Sequence, residues 1–298
     1  MANTATFALL PDTPPGRCRP AAGGNPKIGQ PINPFYFGTG QRRLFGIYEA
    51  AHAVGGPIRG AVICNPWGAE HIHAHRGLRQ LSRRLTRAGF HVLRFDYFGT
   101  GDSAGDMTQT DLPGWENDIK SAIAELKSIT GSMRVSLIGL RLGATLAAKV
   151  AVSLDPGVNS LVLWDPVVDG RAYLDELYAA SRMLLTADRR LLSRPLVSRP
   201  PDLGGGHEIL GFPLTAGMAR ELKELNLVAL APDLLRRTLV VLSGSQVSCC
   251  TLGTVLGASD AVAPAIEQIE AVRCWIDPWP NVGASPVGVI NRISQWLT

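Results

Sequence analysis

The chain has 298 residues, 46% hydrophobic and 18% charged, enough apolar material for one large domain with a buried core. No apolar run approaches the roughly 20 residues of a membrane-crossing helix, and a formal charge of +4 specifies neither a nucleic-acid nor a membrane-surface partner. Met1 to Leu10 lacks the basic stretch and the apolar length of a signal peptide, so a cytoplasmic location is expected. Cys18, Cys64, Cys249, Cys250 and Cys274 show no metal-like spacing, and an odd count with two adjacent members favours reduced thiols.

Residues 1–33 are rich in Pro, Gly, Ala and Thr and read as a weakly ordered tail. Pairing is expected to start near Pro34–Gly38, with Arg43–Tyr48 completing an antiparallel hairpin. From Gly60 the pattern changes to short apolar runs: 61–64, 91–95, 135–140, 161–164, 239–242 and 272–276. Helices are expected over 73–89, 115–129, 142–153, 262–270 and 286–297. Strands alternating with helices imply a mostly parallel sheet covered on both faces, an α/β fold. In 73–89, helical spacing sets Arg76, Arg83 and Arg87 opposite Leu78, Leu81 and Leu85, a solvated face over a buried one.

The gap between the strands at 161–164 and 239–242 exceeds one crossover helix, so 167–235 reads as an inserted helical lid. Residues 34–166 and 236–298 then form the core. Within the lid, Arg194–Pro201 and Gly204–Gly206 break the chain and 214–225 reads as helix. Arg182, Arg189, Arg190, Arg194 and Arg199, opposed by Asp188, form either a solvated surface or a contact for a phosphate-bearing substrate.

The most informative stretch is Gly139-Leu-Arg-Leu-Gly143, between the apolar run 134–138 and the small-residue run Ala144–Ala151. That layout is strand, tight glycine-flanked turn, then helix. Two further segments accompany it: Cys64-Asn-Pro-Trp-Gly68 at a strand end, and Arg94-Phe-Asp-Tyr-Phe-Gly-Thr-Gly-Asp-Ser103 after the next strand. Together they resemble the α/β-hydrolase superfamily over residues 34–298, with its Gly-x-Ser-x-Gly nucleophile elbow, its oxyanion loop and its Asp-x-x-Gly-x-Gly-x-Ser turn. Arg-Phe-Asp-Tyr, Gly-Leu-Arg-Leu-Gly-Ala and Leu-Trp-Asp-Pro look nearest to a bacterial subgroup of exosortase-system-associated or biosynthetic-cluster hydrolases.

The resemblance implies a Ser, then Asp or Glu, then His order, and all three stations depart from it here. Arg141 replaces the serine, and a guanidinium has no lone pair for attack. Ser243–Val247 supplies no acid, and His207 is the last histidine of the chain. Gly101-Asp-Ser-Ala-Gly105 also fits Gly-x-Ser-x-Gly, but no helix follows it directly. It reads as a turn, with Asp96 and Ser103 bonding backbone.

Oxyanion donors can outlast the serine: the Leu142 N–H at a helix start, and an N–H from the Pro66-Trp67-Gly68 loop. Arg141 either strengthens this preference for anions or folds onto an internal acid as a structural plug, with Glu70, Asp96 or Asp165 as partner. His71 lines the pocket beside Glu70 in this reading, while His75 begins a helix. His207 in the lid is the rival proton carrier. Asp165 ends a strand where open sheets bind ligands. No metal or cofactor is expected: His71, His73 and His75 would share a face only on a strand.

The expected function is that of an α/β-hydrolase-fold enzyme acting on an acyl or carbonyl substrate, such as a thioester, free or carrier-bound. It would work without a Ser-His-Asp relay, by hydrolysis, acyl transfer, elimination or cyclisation. Catalytic roles fall to Arg141, His71, Glu70 and Asp165, and substrate or oxyanion contacts to Trp67, Gly68, Leu142 and His207. The alternative is a catalytically silent binding or scaffold protein.

Overall fold

The computed structural model describes residues 33–52, 56–132, 134–191, 206–234, 237–243, 265–276 and 285–298, with side chains described up to residue 183 of the helix that ends at 191. Residues 1–32 of the expected tail, the lid breakers at 194–205, Cys249 and Cys250 lie outside them.

Among the described residues eight strands form one sheet, in the order β1 (Asn33–Thr39), β2 (Arg42–Glu49), β4 (Phe90–Phe95), β3 (Arg59–Cys64), β5 (Arg134–Leu140), β6 (Ser160–Trp164), β9 (Thr238–Ser243) and β10 (Ala265–Ile269). The β1–β2 and β2–β4 pairs are antiparallel and the rest parallel. Central strands are apolar on both faces because helices cover both. Along β5, Val135 and Leu137 join a core with α2 (Leu112–Thr130) and α3 (Leu142–Ser153). Ile138 and Leu140 join a second core with α1 (Ala69–Arg87) and α6 (Val287–Leu297). Between β6 and β9 the described residues form α4 (Gly170–Leu191), a small hairpin of β7 (His207–Ile209) and β8 (Phe212–Leu214), and α5 (Ala216–Glu224).

Two expectations fail at the C-terminal edge. Residues 265–269, expected as helix, form β10, parallel to β9, and 272–276, expected as strand, is irregular with a turn at Cys274–Trp275. An edge strand is only half buried, so its apolar residues are sparse. Ile266 and Ile269 pack on opposite cores, with Glu267 and Gln268 between them, and Glu267 pairs with Arg292 of α6. The apolar run after it is buried as a turn instead, through Trp275. The helix expected at 73–89 begins four residues earlier, so Glu70–His75 is helical.

The start of α3 presses hard on its surroundings. A Cβ on Gly143 would lie 2.3 Å from the Asn65 carbonyl oxygen and 2.4 Å from that of Cys64, and a Cβ on Gly139 would lie 2.3 Å from Ala144 Cα. Backbone cannot yield as a flexible side chain can. Gly143→Ala is therefore expected to lower stability by about 2 kcal/mol or more, read as a reduced urea midpoint; an unchanged midpoint would contradict this packing.

Candidate functional site

Arg141 stands between β5 and α3 with φ 55° and ψ −122°, as the N-cap of α3. A non-glycine residue in this region is strained by about 1–3 kcal/mol and persists only where its surroundings fix it. Its N–H donates to the Trp164 carbonyl at 3.0 Å, and its carbonyl accepts from Ala144 at 3.0 Å. Gly68, before α1, adopts nearly the same conformation, φ 58° and ψ −130°. Two equivalent tight turns thus launch α1 and α3 from neighbouring strands, and the pressure of Gly143 on the Cys64 and Asn65 carbonyls brings them together.

The Arg141 side chain is 3% exposed and turned inward. Its Nε donates to Glu70 Oε1 at 2.9 Å, and Nη2 donates to Glu176 Oε2 at 2.6 Å. The Tyr173 hydroxyl donates to the second oxygen of Glu70 at 2.9 Å. The rings of Tyr173 and Trp275 lie 5.2 and 5.6 Å from Arg141 Cζ. Burial opposes the guanidinium charge, but Glu70 and Glu176 more than offset it, holding its pKa above the ordinary value. Glu70 is fully inside, and burial raises its carboxyl pKa against the counter-pull of Arg141. Glu176 reaches the cluster from α4 with its side chain 52% exposed.

A cavity of about 560 Å³ opens one strand over, above the ends of β3 and β4. Trp67, Gly68, His71, His75, Arg94 and Asp96 line its polar side; Phe45, Met107, Trp115 and Phe212 are among its apolar walls. Arg141 is not in its lining. His71 and His75 share one face of α1, and His73 lies off that face. His71 Nε2 is 3.8 Å from Asp96 Oδ1. Burial lowers the His71 pKa, with Asp96 pulling it back up. Asp96 is fixed by the Asp102 N–H at 3.1 Å.

The expected site residues therefore divide. Glu70 goes with Arg141, and His71, Trp67 and Gly68 with the cavity, although Glu70 and His71 are neighbours in sequence. Leu142 is buried at the first turn of α3. Asp165, φ 43°, accepts the Ser243 N–H at 2.8 Å through Oδ1; Oδ2 is buried with no partner among the described residues, and burial lifts its pKa to about 6. His207 is exposed on β7, its ring centre 6.2 Å from that of Tyr178 and outside the cavity lining. Ser103 donates to the Asp96 carbonyl at 2.6 Å and accepts from the Phe45 N–H at 2.8 Å, which makes it a turn brace. Glu176 escaped the sequence reading. Its only signal was its place one turn after Tyr173 on α4, which puts both on one helix face.

Sheet order, elbow and covering helices decide the architecture. The chain has an α/β-hydrolase fold. The sequence pattern of the serine aminopeptidase S33 family matches residues 56–203. Human protein ABHD12B is 38% identical over 122 residues, which are 40% of this chain and 32% of that protein, so the match spans about a third of its length. Proline iminopeptidase from Mycobacterium smegmatis superposes with a TM-score of 0.59 at 15% identity, covering 89% of this chain and 97% of that one. The thioesterase domain from the curacin biosynthetic pathway gives 0.55 at 14% identity, covering 90% and 100%.

In this hydrolase fold, Arg141 and Glu70 are each other's main compensation. Removing one partner of a buried pair costs about 3–5 kcal/mol, because the other is left charged and unpaired. Arg141→Met is expected to destabilise on that scale, and adding Glu70→Gln to recover a large part of the loss, as measured by a double-mutant denaturation cycle. Additive losses would contradict the pairing.

Proposed function

We propose that this chain acts on an acyl or carbonyl compound, with an activated acyl group such as a thioester as the favoured class. The reaction takes place in the cavity beside the Pro66-Trp67-Gly68 loop, without a covalent acyl-enzyme at the elbow. The observation that carries this reading is the seating of Arg141: the strained turn holds a guanidinium clasped by Glu70 and Glu176. Such a group neither attacks nor relays a proton.

His71 is the proton-handling group in this reading. Burial favours its neutral form at neutral pH, the form a base needs, and Asp96 stands where it can orient the ring or stabilise the imidazolium. The N–H groups of the Trp67–Gly68 loop, which lines the cavity, polarise the substrate oxygen, whereas Leu142, at the filled end of β5, lies outside that lining. Glu70 and Asp165, bound to Arg141 and to the Ser243 N–H, position the scaffold. Hydrolysis, transfer, elimination and cyclisation all draw on these parts. A carrier-bound substrate and a biosynthetic setting fit the bacterial subgroup that the motifs resemble. The clasped arginine also favours a second reading, a silent scaffold that binds an acyl ligand without turning it over.

Turnover of a thioester panel separates the two. Under the enzyme reading, His71→Ala is expected to lower kcat/KM by about 10²–10⁴. The wild-type rate should hold as pH falls to the ordinary imidazole range near about 6.5 and drop only below it. Equal background rates in both proteins would favour the scaffold.

A further inference from the structure

A second, smaller cavity, about 200 Å³, lies at the opposite end of the sheet, where the parallel strands begin. Arg59 opens β3, Arg134 opens β5, and Arg237 precedes β9; Ser136, Asn159 and Thr298 line the same space. Arg59 and Arg134 are register partners across the β3–β5 pair. Neighbours in register project toward the same face, so two permanent cations stand side by side, an arrangement that is destabilising on its own. Among the described residues none of the three arginines forms a salt bridge with a carboxylate side chain. Arg59 Nη2 donates to the Ala88 carbonyl at 2.9 Å and its guanidinium lies 4.4 Å from the Phe90 ring centre, while its buried Nε has no partner among the described residues. Arg237 donates to the Trp296 and Leu297 carbonyls, both at 3.4 Å, and rests on the Trp296 ring. These contacts fix the two outer arginines and satisfy few of the five donors each guanidinium carries.

We infer that this cavity is a binding site for a phosphate group, inorganic phosphate or the phosphate of a small phosphomonoester. The planar donors of three arginines suit tetrahedral oxyanions, with Ser136 and Asn159 as neutral donors beside them. None of the residues lining the space has a carboxylate side chain, so its three cations form a surplus that a dianion matches. A volume of about 200 Å³ admits a phosphate with room for a small substituent. The site stands apart from the acyl cavity at the other end of the strands, so its test is binding and does not depend on turnover.

Thermal unfolding of the full chain is followed against sodium phosphate, with sodium chloride at matched ionic strength as reference. The midpoint is expected to rise saturably with phosphate, with sulfate, a second tetrahedral dianion, behaving alike, and a small alkyl phosphate should bind to the same site in competition. Arg134→Gln, at an exposed position that tolerates replacement, and Arg237→Gln are each expected to weaken phosphate binding at least about tenfold. The inference is overturned if phosphate raises the midpoint no more than chloride does. It is equally overturned if both variants titrate like the wild type.

Discussion

A single buried guanidinium ties together three segments that are remote in sequence. Arg141 comes from the turn after β5, Glu70 from the first turn of α1, and Glu176 from the insertion helix α4. Each contact alone is an ordinary charge-assisted hydrogen bond. Their joint effect is to permit a cation in a space only 3% open to water and at a backbone angle that an arginine rarely adopts. The same contacts pin the beginning of α4 to the core, where Tyr173 and Leu177 are buried. The first two turns of the inserted helix are therefore framework, whatever the remainder of the insertion does.

The clasp also determines where the open space lies. It fills the end of β5, so the open space lies over β3 and β4 and draws its titratable groups from α1 and the β4 loop. Glu70 and His71 are adjacent in sequence, yet a rotation of about 100° per helical residue sends one to the elbow and the other to the cavity. A change at either neighbour therefore touches a different place, one the clasp around Arg141 and the other the lining of the cavity.

Much of this was legible in the chain itself. The central strands declared themselves by continuous apolar runs, and Gly139 and Gly143 marked the elbow because helix and strand approach too closely for any Cβ. Sheet edges were less readable. Residues 265–269 carry Glu and Gln where a central strand would carry Val or Ile, so their period was obscured, and the buried turn at Trp275 imitated a strand by its composition. Start signals misled at α1, where Gly68 precedes the helix with no side-chain cap to mark its first turn. That Arg141, if folded inward, would need an acid such as Glu70 followed from the cost of burying it alone, but the sequence left an outward, anion-holding side chain equally open. That Glu176 would be a second partner did not follow, since nothing local marks a half-exposed glutamate as a long-range contact.

The central claim is that the Arg141 guanidinium is enclosed and held by carboxylates. Nitrogen-15 NMR of the arginine side chains tests it most directly, through hydrogen exchange at Arg141 Nε–H, assigned by comparison with Arg141→Lys. The account predicts a Nε–H that exchanges far more slowly than in free arginine and that loses its protection in Glu70→Gln. A Nε–H exchanging as fast as those of exposed arginines would contradict it.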